Sequence, residues 1–326
     1  MREVNLIIDG IPVTAKEGES VVEAAKRVGI IIPTLCYLKE LDVVSACRMC
    51  LVKIEGVPRL MTGCSTPVTE GMVVETENEE IVNHRKMLLR LYLDNHPNDC
   101  LTCQKAGECE LQNLSYRYDV AFREHDGERR GSKYAEYTDT TSPYILRDEA
   151  KCILCGRCVR SCAQVETRNV LTFAERGFVT KISADADQSL EESTCVSCNR
   201  CVSVCPVGAL LDRRAQGKTR VWSAKVKGVK CKACDYGCNM EVLYDKNVPV
   251  AVRAREPQGK CRPLCLRGRL TTELEHVYGP DEPYVKVKTD DGNKFERATW
   301  AKALELEGVL AKLKILEEDN NEEGES

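Results

Sequence analysis

The sequence predicts an α+β chain built from several small, metal-stabilised domains, and three observations lead there. Cysteine is abundant, twenty in 326 residues, and falls in groups with short fixed gaps. Aromatic residues make up only 5% of the chain, so large apolar anchors for a core are scarce; bound metal compensates for that in small domains. Short apolar runs and helical patterns lie between the cysteine groups, without low-complexity linkers.

Charge and hydropathy exclude some classes. Forty-seven basic against fifty-one acidic residues give a net charge of −4, which argues against nucleic-acid binding. The start, "MREVNLIIDG", lacks the long apolar stretch of a signal peptide. The longest apolar run, "VGIIIPTLCYL", is about half a membrane span and is broken by Pro33. A cytoplasmic protein with no membrane span is expected. In a reducing compartment these cysteines read as metal ligands rather than disulfides.

The elements follow in order. "EVNLIIDGIPVTA" is two strands joined at the hairpin dipeptide Asp9-Gly10. "SVVEAAKRVG" is a short helix with Ser20 as N-cap and Gly29 as its stop. The first cysteine group follows: Cys36-x10-Cys47-x2-Cys50-x13-Cys64. Ile81, Leu88, Leu91 and Tyr92 then fall at helical spacing, which puts His84 inside a helix and His96 just beyond it. Pro97 restricts His96 to extended backbone. The second group is His96-x3-Cys100-x2-Cys103-x5-Cys109. On the residues alone, His96 is open to two readings, a helix-end residue or a fourth ligand beside three thiols.

The third group, Cys152, Cys155, Cys158 and Cys162, is repeated by Cys195, Cys198, Cys201 and Cys205, the last followed by Pro206. C-x2-C-x2-C-x3-C is the bacterial ferredoxin run, in which three cysteines hold one [4Fe–4S] cluster and the fourth reaches the other. Cys152, Cys155, Cys158 and Cys205 are therefore assigned to one cluster, and Cys195, Cys198, Cys201 and Cys162 to the second. "VLTFAERGFVTKISA" between the runs reads as a hairpin with Gly177 at its turn. The fifth group is Cys231-x2-Cys234-x3-Cys238, with Cys261 and Cys265 further on. The last ten residues of the chain, "EEDNNEEGES", read as a solvated, disordered tail. Zinc is the competing metal throughout; eight interleaved thiols fit tetrahedral sites poorly.

These motifs resemble known families. Hairpin, helix and cysteine loop resemble the β-grasp fold of [2Fe–2S] ferredoxins. The x10, x2, x13 spacing resembles the domain that opens the large Fe–S subunit of complex I and iron-only hydrogenases. That resemblance implies one [2Fe–2S] cluster on Cys36, Cys47, Cys50 and Cys64. The His-x3-Cys-x2-Cys-x5-Cys comb, with "ELQNLSYRYDV" after it, is similar to the same chains, which implies a [4Fe–4S] cluster on His96, Cys100, Cys103 and Cys109. Residues 1 to about 215 resemble the relay of iron-only hydrogenases and NAD-dependent formate dehydrogenase catalytic chains. Complex I is the poorer match, because its subunit usually keeps one cluster where two full runs stand here. "KCKACDYGCNMEVLY…CRPLCLRGR" resembles the opening of molybdopterin oxidoreductases. This implies a small β-rich domain with a [4Fe–4S] cluster on Cys231, Cys234, Cys238 and Cys265, leaving Cys261 as spare or competitor. Arg267 stands where that family commonly has lysine. "FERATWAKALELEGVLAKLK" resembles the first helix of the next domain.

The resulting domains are 1–79, a β-grasp; 80–145, a helical His/Cys3 domain; 146–218, a two-cluster ferredoxin-like domain; 219–285, the molybdopterin-oxidoreductase-like domain; and 286–326, a helix and acidic tail. No glycines lie two residues apart, so a G-x-G-x-x-G loop is absent, and Asp212 breaks the only P-loop-like segment, at Gly217-Lys218-Thr219. No cysteine follows Cys265. No catalytic site is expected in this chain, and its end reads as natural, a fragment of a longer dehydrogenase being the alternative.

The expected function is a relay subunit with one [2Fe–2S] and four [4Fe–4S] clusters in an NAD(P)-linked, electron-bifurcating hydrogenase complex. The resemblance implies as partners a flavoprotein NAD(P)H-binding subunit, a thioredoxin-like [2Fe–2S] subunit, ferredoxin and a separate catalytic hydrogenase module. A formate dehydrogenase or tungsten aldehyde oxidoreductase is the runner-up. A zinc-binding scaffold is the alternative of another class. Cluster loss is expected to unfold the domains.

Overall fold

The computed structural model describes residues 2–97, 99–120, 137–232, 237–254, 268, 270, 283–289 and 292–312. The chain divides into two compact units, Met1–Leu270 and Thr271–Ser326.

The first unit begins with the hairpin β1 (Glu3–Ile8) and β2 (Ile11–Lys16). Asp9 and Gly10 both take left-handed backbone, φ 48° and 79°, which matches the turn to strand twist. Val4, Leu6 and Ile8 alternate inward along β1. Helix α1 (Val21–Arg27) starts at Ser20, whose Oγ accepts from Glu23 N at 3.4 Å. It buries Val21, Val22, Ala24 and Ala25, small enough for close approach to the sheet. Strands β3 (Leu51–Ile54), β4 (Met61–Thr62) and β5 (Val73–Glu75) complete a sheet of order β2-β1-β5-β3-β4. β1 and β5 are parallel and the other pairs antiparallel. A hairpin, a crossing helix and a parallel central pair make this the expected β-grasp topology.

Helix α2 (Glu79–Asn95) is capped by Asn78 Oδ1, which accepts from Ile81 N at 2.9 Å. Its buried side is Ile81, Arg85 and Leu89. Leu91, counted in the sequence among its apolar positions, is 57% exposed: the helix turns a buried arginine inward instead. α3 (Glu110–Arg117) follows the second cysteine group.

The two-run module opens with β6 (Thr138–Asp139) and β7 (Ile145–Asp148), has the short helix α4 (Arg157–Arg160) within its first run, and then the hairpin β8 (Leu171–Ala174) and β9 (Lys181–Ala184). Gly177 (φ 63°) lies in the connection, as expected. Helix α5 (Arg200–Val204) and strand β10 (Leu210–Asp212) close the module, β10 pairing antiparallel with β7. Beyond it, β11 (Lys225–Lys230), β12 (Asn239–Asp245) and β13 (Val248–Ala254) form an antiparallel meander over a small core of Met240, Val242 and Val252.

The second unit contains the hairpin β14 (Tyr284–Thr289) and β15 (Gly292–Arg297), so a strand runs across the expected 285/286 junction. The expected single C-terminal helix is two short ones, α6 (Trp300–Ala303) and α7 (Glu307–Lys312). Glu305, at φ 56°, turns the chain between them. Among the described residues no helix is long and apolar enough to cross a membrane.

Candidate metal centres

Cys36, Cys47, Cys50 and Cys64 are all buried, on a loop that leaves α1 and returns through β3 and β4. Ser45 and Arg48 take left-handed backbone, φ 50° and 57°, and curl the loop back on itself. The thiols pair two by two. The hydrogen bond from Cys47 draws the Cys36 thiol down to about 5 and pushes Cys47 far up. Cys50 draws Cys64 down to about 7 in the same way. Leu35 N donates to Cys47 Sγ and Ser45 Oγ lies beside Cys64 Sγ, each at 3.4 Å. Four buried sulfurs on one loop suit a group that brings its own positive charge. Arg85 holds the loop from beneath: Nε donates to Met49 O at 3.0 Å, Nη2 to Leu51 O at 2.9 Å and Nη1 to the Tyr118 hydroxyl at 2.9 Å.

His96 is the C-cap of α2, in extended backbone (φ −96°, ψ 140°), with its N–H on Leu93 O at 3.3 Å. The ring is only 8% exposed and its Nδ1 has no hydrogen-bond partner. Burial pushes its pKa down to about 4, so the imidazole is neutral at pH 7 and offers a lone pair. Cys103 and Cys109 are buried, Cys100 exposed. Asp99 O accepts from Thr102 N and Cys103 N, both at 2.9 Å, and winds the comb into a turn. Cys109 stands at the start of α3, where burial raises its thiol to about 11 against the N–H groups of Gln112 and Leu111. An orphaned buried nitrogen fits a metal ligand; the ring lines a cavity with Tyr92, Asn95, Cys152 and Ile153. Arg220 clasps the comb through the carbonyls of Cys103 and Leu101.

Gly208 abuts this site: a Cβ there would lie 2.7 Å from Cys103 Sγ and 3.4 Å from Lys151 Cδ. Gly208→Ala is therefore expected to displace that thiol and speed iron release from the His96 site alone, by tenfold or more if displacement costs about 1.4 kcal/mol. Iron release to a chelator, followed by EPR, measures this.

The paired runs are built alike. Leu154 and Gly156 (φ 54° and 68°) have left-handed counterparts in Ser197 and Asn199 (φ 51° and 69°). Leu154 N donates to Cys152 Sγ and Ser197 N to Cys195 Sγ, both at 3.4 Å. Cys152, Cys155, Cys158 and Cys205 line one small cavity, closed by Ile153, Ile182, Val207 and Leu210. The fourth thiol of this set thus comes from the second run. Burial pushes the Cys155 thiol to about 12 and raises Cys158 and Cys205 as well. Thiols so disfavoured as bare thiolates suit a site where iron supplies the compensating charge. Cys195, Cys198 and Cys201 are half-buried, and Cys162 lies in the widened turn Ser161–Val165 that ends α4. Beside Cys198, burial raises the Glu166 carboxyl to about 7 against the hydrogen bond to that thiol.

In the fifth group, Cys231 N donates to Cys238 O at 2.7 Å, drawing those two residues together at the foot of β11 and β12. Cys234, Cys261, Cys265 and Arg267 lie outside the described residues. Among the described residues no three His, Cys, Asp or Glu side chains close on a single ion-sized point; a cluster takes its ligands around a larger body.

Residues 1–79 match the 2Fe-2S iron-sulfur cluster binding domain. Residues 85–123 match the NADH-ubiquinone oxidoreductase-G iron-sulfur binding region, and 151–209 the 4Fe-4S dicluster domain. This is a multidomain iron–sulfur protein. The zinc-scaffold alternative falls with those matches. Among curated relatives of this iron–sulfur protein is the NADP-reducing hydrogenase subunit HndD of Solidesulfovibrio fructosivorans. It is 40% identical over 218 residues, 65% of this chain and 36% of that one. The NADPH-Fe(3+) oxidoreductase subunit alpha of Geobacter sulfurreducens is 35% identical over 295 residues, 89% of this chain and 34% of that one. The mitochondrial NADH-ubiquinone oxidoreductase 78 kDa subunit of Candida albicans is 34% identical over 320 residues, 93% and 41%. The chain thus spans 34% to 41% of the length of these relatives. A chain in the structure of an NAD+-reducing [NiFe]-hydrogenase in its H2-reduced state superposes with a TM-score of 0.59 at 29% identity. The likeness covers 67% of this chain and 91% of that one.

Sequence reasoning missed Arg157, Arg200, Glu110, Glu40, Glu166 and Gly208. A signal for the two arginines was present: "CGRC" and "CNRC" put Arg at the same register in both runs. No local pattern marks the others.

Proposed function

We propose that this chain is the electron-relay subunit of an NAD(P)-linked hydrogenase complex of the electron-bifurcating kind. Its ligands are Cys36, Cys47, Cys50 and Cys64 for one [2Fe–2S] cluster, and four sets for [4Fe–4S] clusters. Those sets are His96 with Cys100, Cys103 and Cys109; Cys152, Cys155, Cys158 and Cys205; Cys195, Cys198, Cys201 and Cys162; and Cys231, Cys234, Cys238 and Cys265. Bound clusters supply reversible one-electron transfer. The chain's own residues hold them in series and shield them from water.

The observation that carries this reading is contact between ligand segments of successive sites. Arg160 Nη2 donates both to Cys36 O at 2.5 Å and to Cys155 O at 3.2 Å, joining the first site to the first cubane. Glu110 N, next to Cys109, donates to Pro206 O, next to Cys205, at 2.8 Å, joining that cubane to the His96 site. Asn199 Nδ2, next to Cys198, donates to Val252 O on β13 at 3.0 Å, joining the second cubane to the last domain. A chain that merely stored iron would need no such chaining. The partners on this reading are a flavoprotein NAD(P)H-binding subunit, a thioredoxin-like [2Fe–2S] subunit, ferredoxin and a catalytic hydrogenase module. Relatives named as hydrogenase and NADPH-linked subunits support that assignment. The β11–β13 domain favours a formate dehydrogenase or tungsten enzyme as the second reading.

Native mass spectrometry with metal analysis of the purified complex tests both. Iron and acid-labile sulfide matching five clusters, with nickel in a partner, is the expected result. Molybdenum or tungsten would move the assignment to the second reading, and neither metal would sink both.

A further inference from the structure

Each paired run carries one arginine directly after the left-handed residue between its second and third cysteines. Arg157 follows Gly156 and Arg200 follows Asn199. Both arginines are only 3% exposed, and each reaches a glutamate outside the module. Arg157 holds Glu110 by two parallel bonds, Nη1 to Oε1 at 2.6 Å and Nη2 to Oε2 at 2.9 Å. Glu110 is the neighbour of Cys109. Arg200 pairs with Glu40, on the loop between Cys36 and Cys47. Each ion pair therefore joins the ligand segment of one cubane to the ligand loop of a different site.

We infer that Arg157 and Arg200 are positioning residues for electron transfer between sites: through Glu110 and Glu40 they set how far each cubane stands from its neighbour. Arg157 braces the first cubane against the His96 site, and Arg200 braces the second against the Cys36 site. The inference rests on the ligand assignment proposed above. Stability alone gives a poor account of these pairs: Glu110 and Glu40 are 42% and 20% exposed, and an ion pair with one partner in water gains little against the cost of burying its arginine. What a bidentate guanidinium–carboxylate pair adds is fixed distance and orientation, and apolar surfaces can slide. Electron tunnelling falls steeply with distance, so a relay gains from a fixed separation. Arg157–Glu110 has that bidentate form, whereas Arg200 meets Glu40 through Nη2; the recurrence of a buried arginine–glutamate pair at one register in both runs, toward two different domains, points the same way.

The test uses the full-length cluster-loaded protein, chemically reduced, with spin–spin coupling between sites read by EPR. Glu110→Gln and Glu40→Gln keep an oxygen acceptor and change no ligand segment's backbone. Both are expected to retain the iron and sulfide count and each cluster's own signal. Glu110→Gln should alter only the coupling between the His96 site and the first cubane. Glu40→Gln should alter only that between the Cys36 site and the second cubane. Unchanged couplings in both variants would overturn the inference, as would loss of a cluster in either, or no measurable coupling in the wild type. An iron count in the wild type that does not match five clusters would instead strike the functional reading.

Discussion

Stripping iron and sulfide from the protein is expected to melt its cysteine-rich centre while the N-terminal sheet stays folded. The two regions have different cores. Sixteen buried residues make the β-grasp core, among them Val4, Leu6, Ile8, Val13, Val21 and Val74, and only Cys50 and Cys64 of the sixteen are cysteines. Full burial of such aliphatic side chains contributes about 1.5–3 kcal/mol each, enough for a small sheet and helix to stand without metal. The central core has twenty buried residues, of which Cys36, Cys47, Cys109, Cys158 and Cys205 are five. Cys152, Cys155, Cys162, Cys195 and Cys201 pack against it. Without iron the thiols of that core lose the metal that ties their segments together, and its helices α4 and α5 are a single turn each. Short helices have no independent stability. Hydrogen exchange read by mass spectrometry after chelation under reducing conditions measures the outcome. Amides of β1, β2, β5 and α1 should stay protected, and those of 150–210 should exchange at close to the unfolded rate. Equal protection throughout, or equal loss, would refute this division. The prediction narrows the sequence-based expectation that every domain unfolds.

Local chemistry made much of the fold legible. Asp9-Gly10 named the hairpin, Ser20 and Gly29 bounded α1, and the left-handed conformations at Gly10 and Gly29 match those roles. The helix before His96 was readable from apolar spacing, because period is a local property. Which side of that helix faces inward was not: Leu91 looks out and Arg85 looks in, because three acceptors, two of them backbone carbonyls of the Cys47–Leu51 segment, await a guanidinium. The last helix failed for a related reason. "ATWAKALELEGVL" has helix-forming composition, but Thr299 caps a new start at Trp300 and Glu305 breaks the run. Among the site residues, the ligand types were visible because cysteine spacing is local. The braces were not, because Glu110 and Glu40 lie 47 and 160 positions from their arginines and carry no mark of their own. Gly208 escaped in the same way, since its need for a bare Cα arises from a thiol more than a hundred positions earlier.

At His96, replacement by cysteine is expected to keep a cubane and lower its midpoint potential by roughly 100 mV, whereas His96→Ala should lose that cluster while the others remain. The scale follows from Rieske centres, in which two imidazoles in place of two thiolates raise potentials by a few hundred millivolts. The sign follows from charge. Burial holds the His96 ring neutral at pH 7, so a thiolate in its place adds one negative charge beside the cluster, and the oxidised state is favoured. The exposure of Cys100 lets water screen part of that charge, which keeps the shift below what a fully buried site would show. A histidine that only ended α2 would behave differently. Its N–H bond to Leu93 O is a backbone bond that either substitution retains, and its ring Nδ1, which makes no hydrogen bond, plays no part in that cap. On that account His96→Ala would keep its full iron count and His96→Cys would leave every potential unchanged in redox-titrated EPR. The two accounts thus differ in the iron count of one variant and the potential of the other, and the unpartnered Nδ1 favours the ligand.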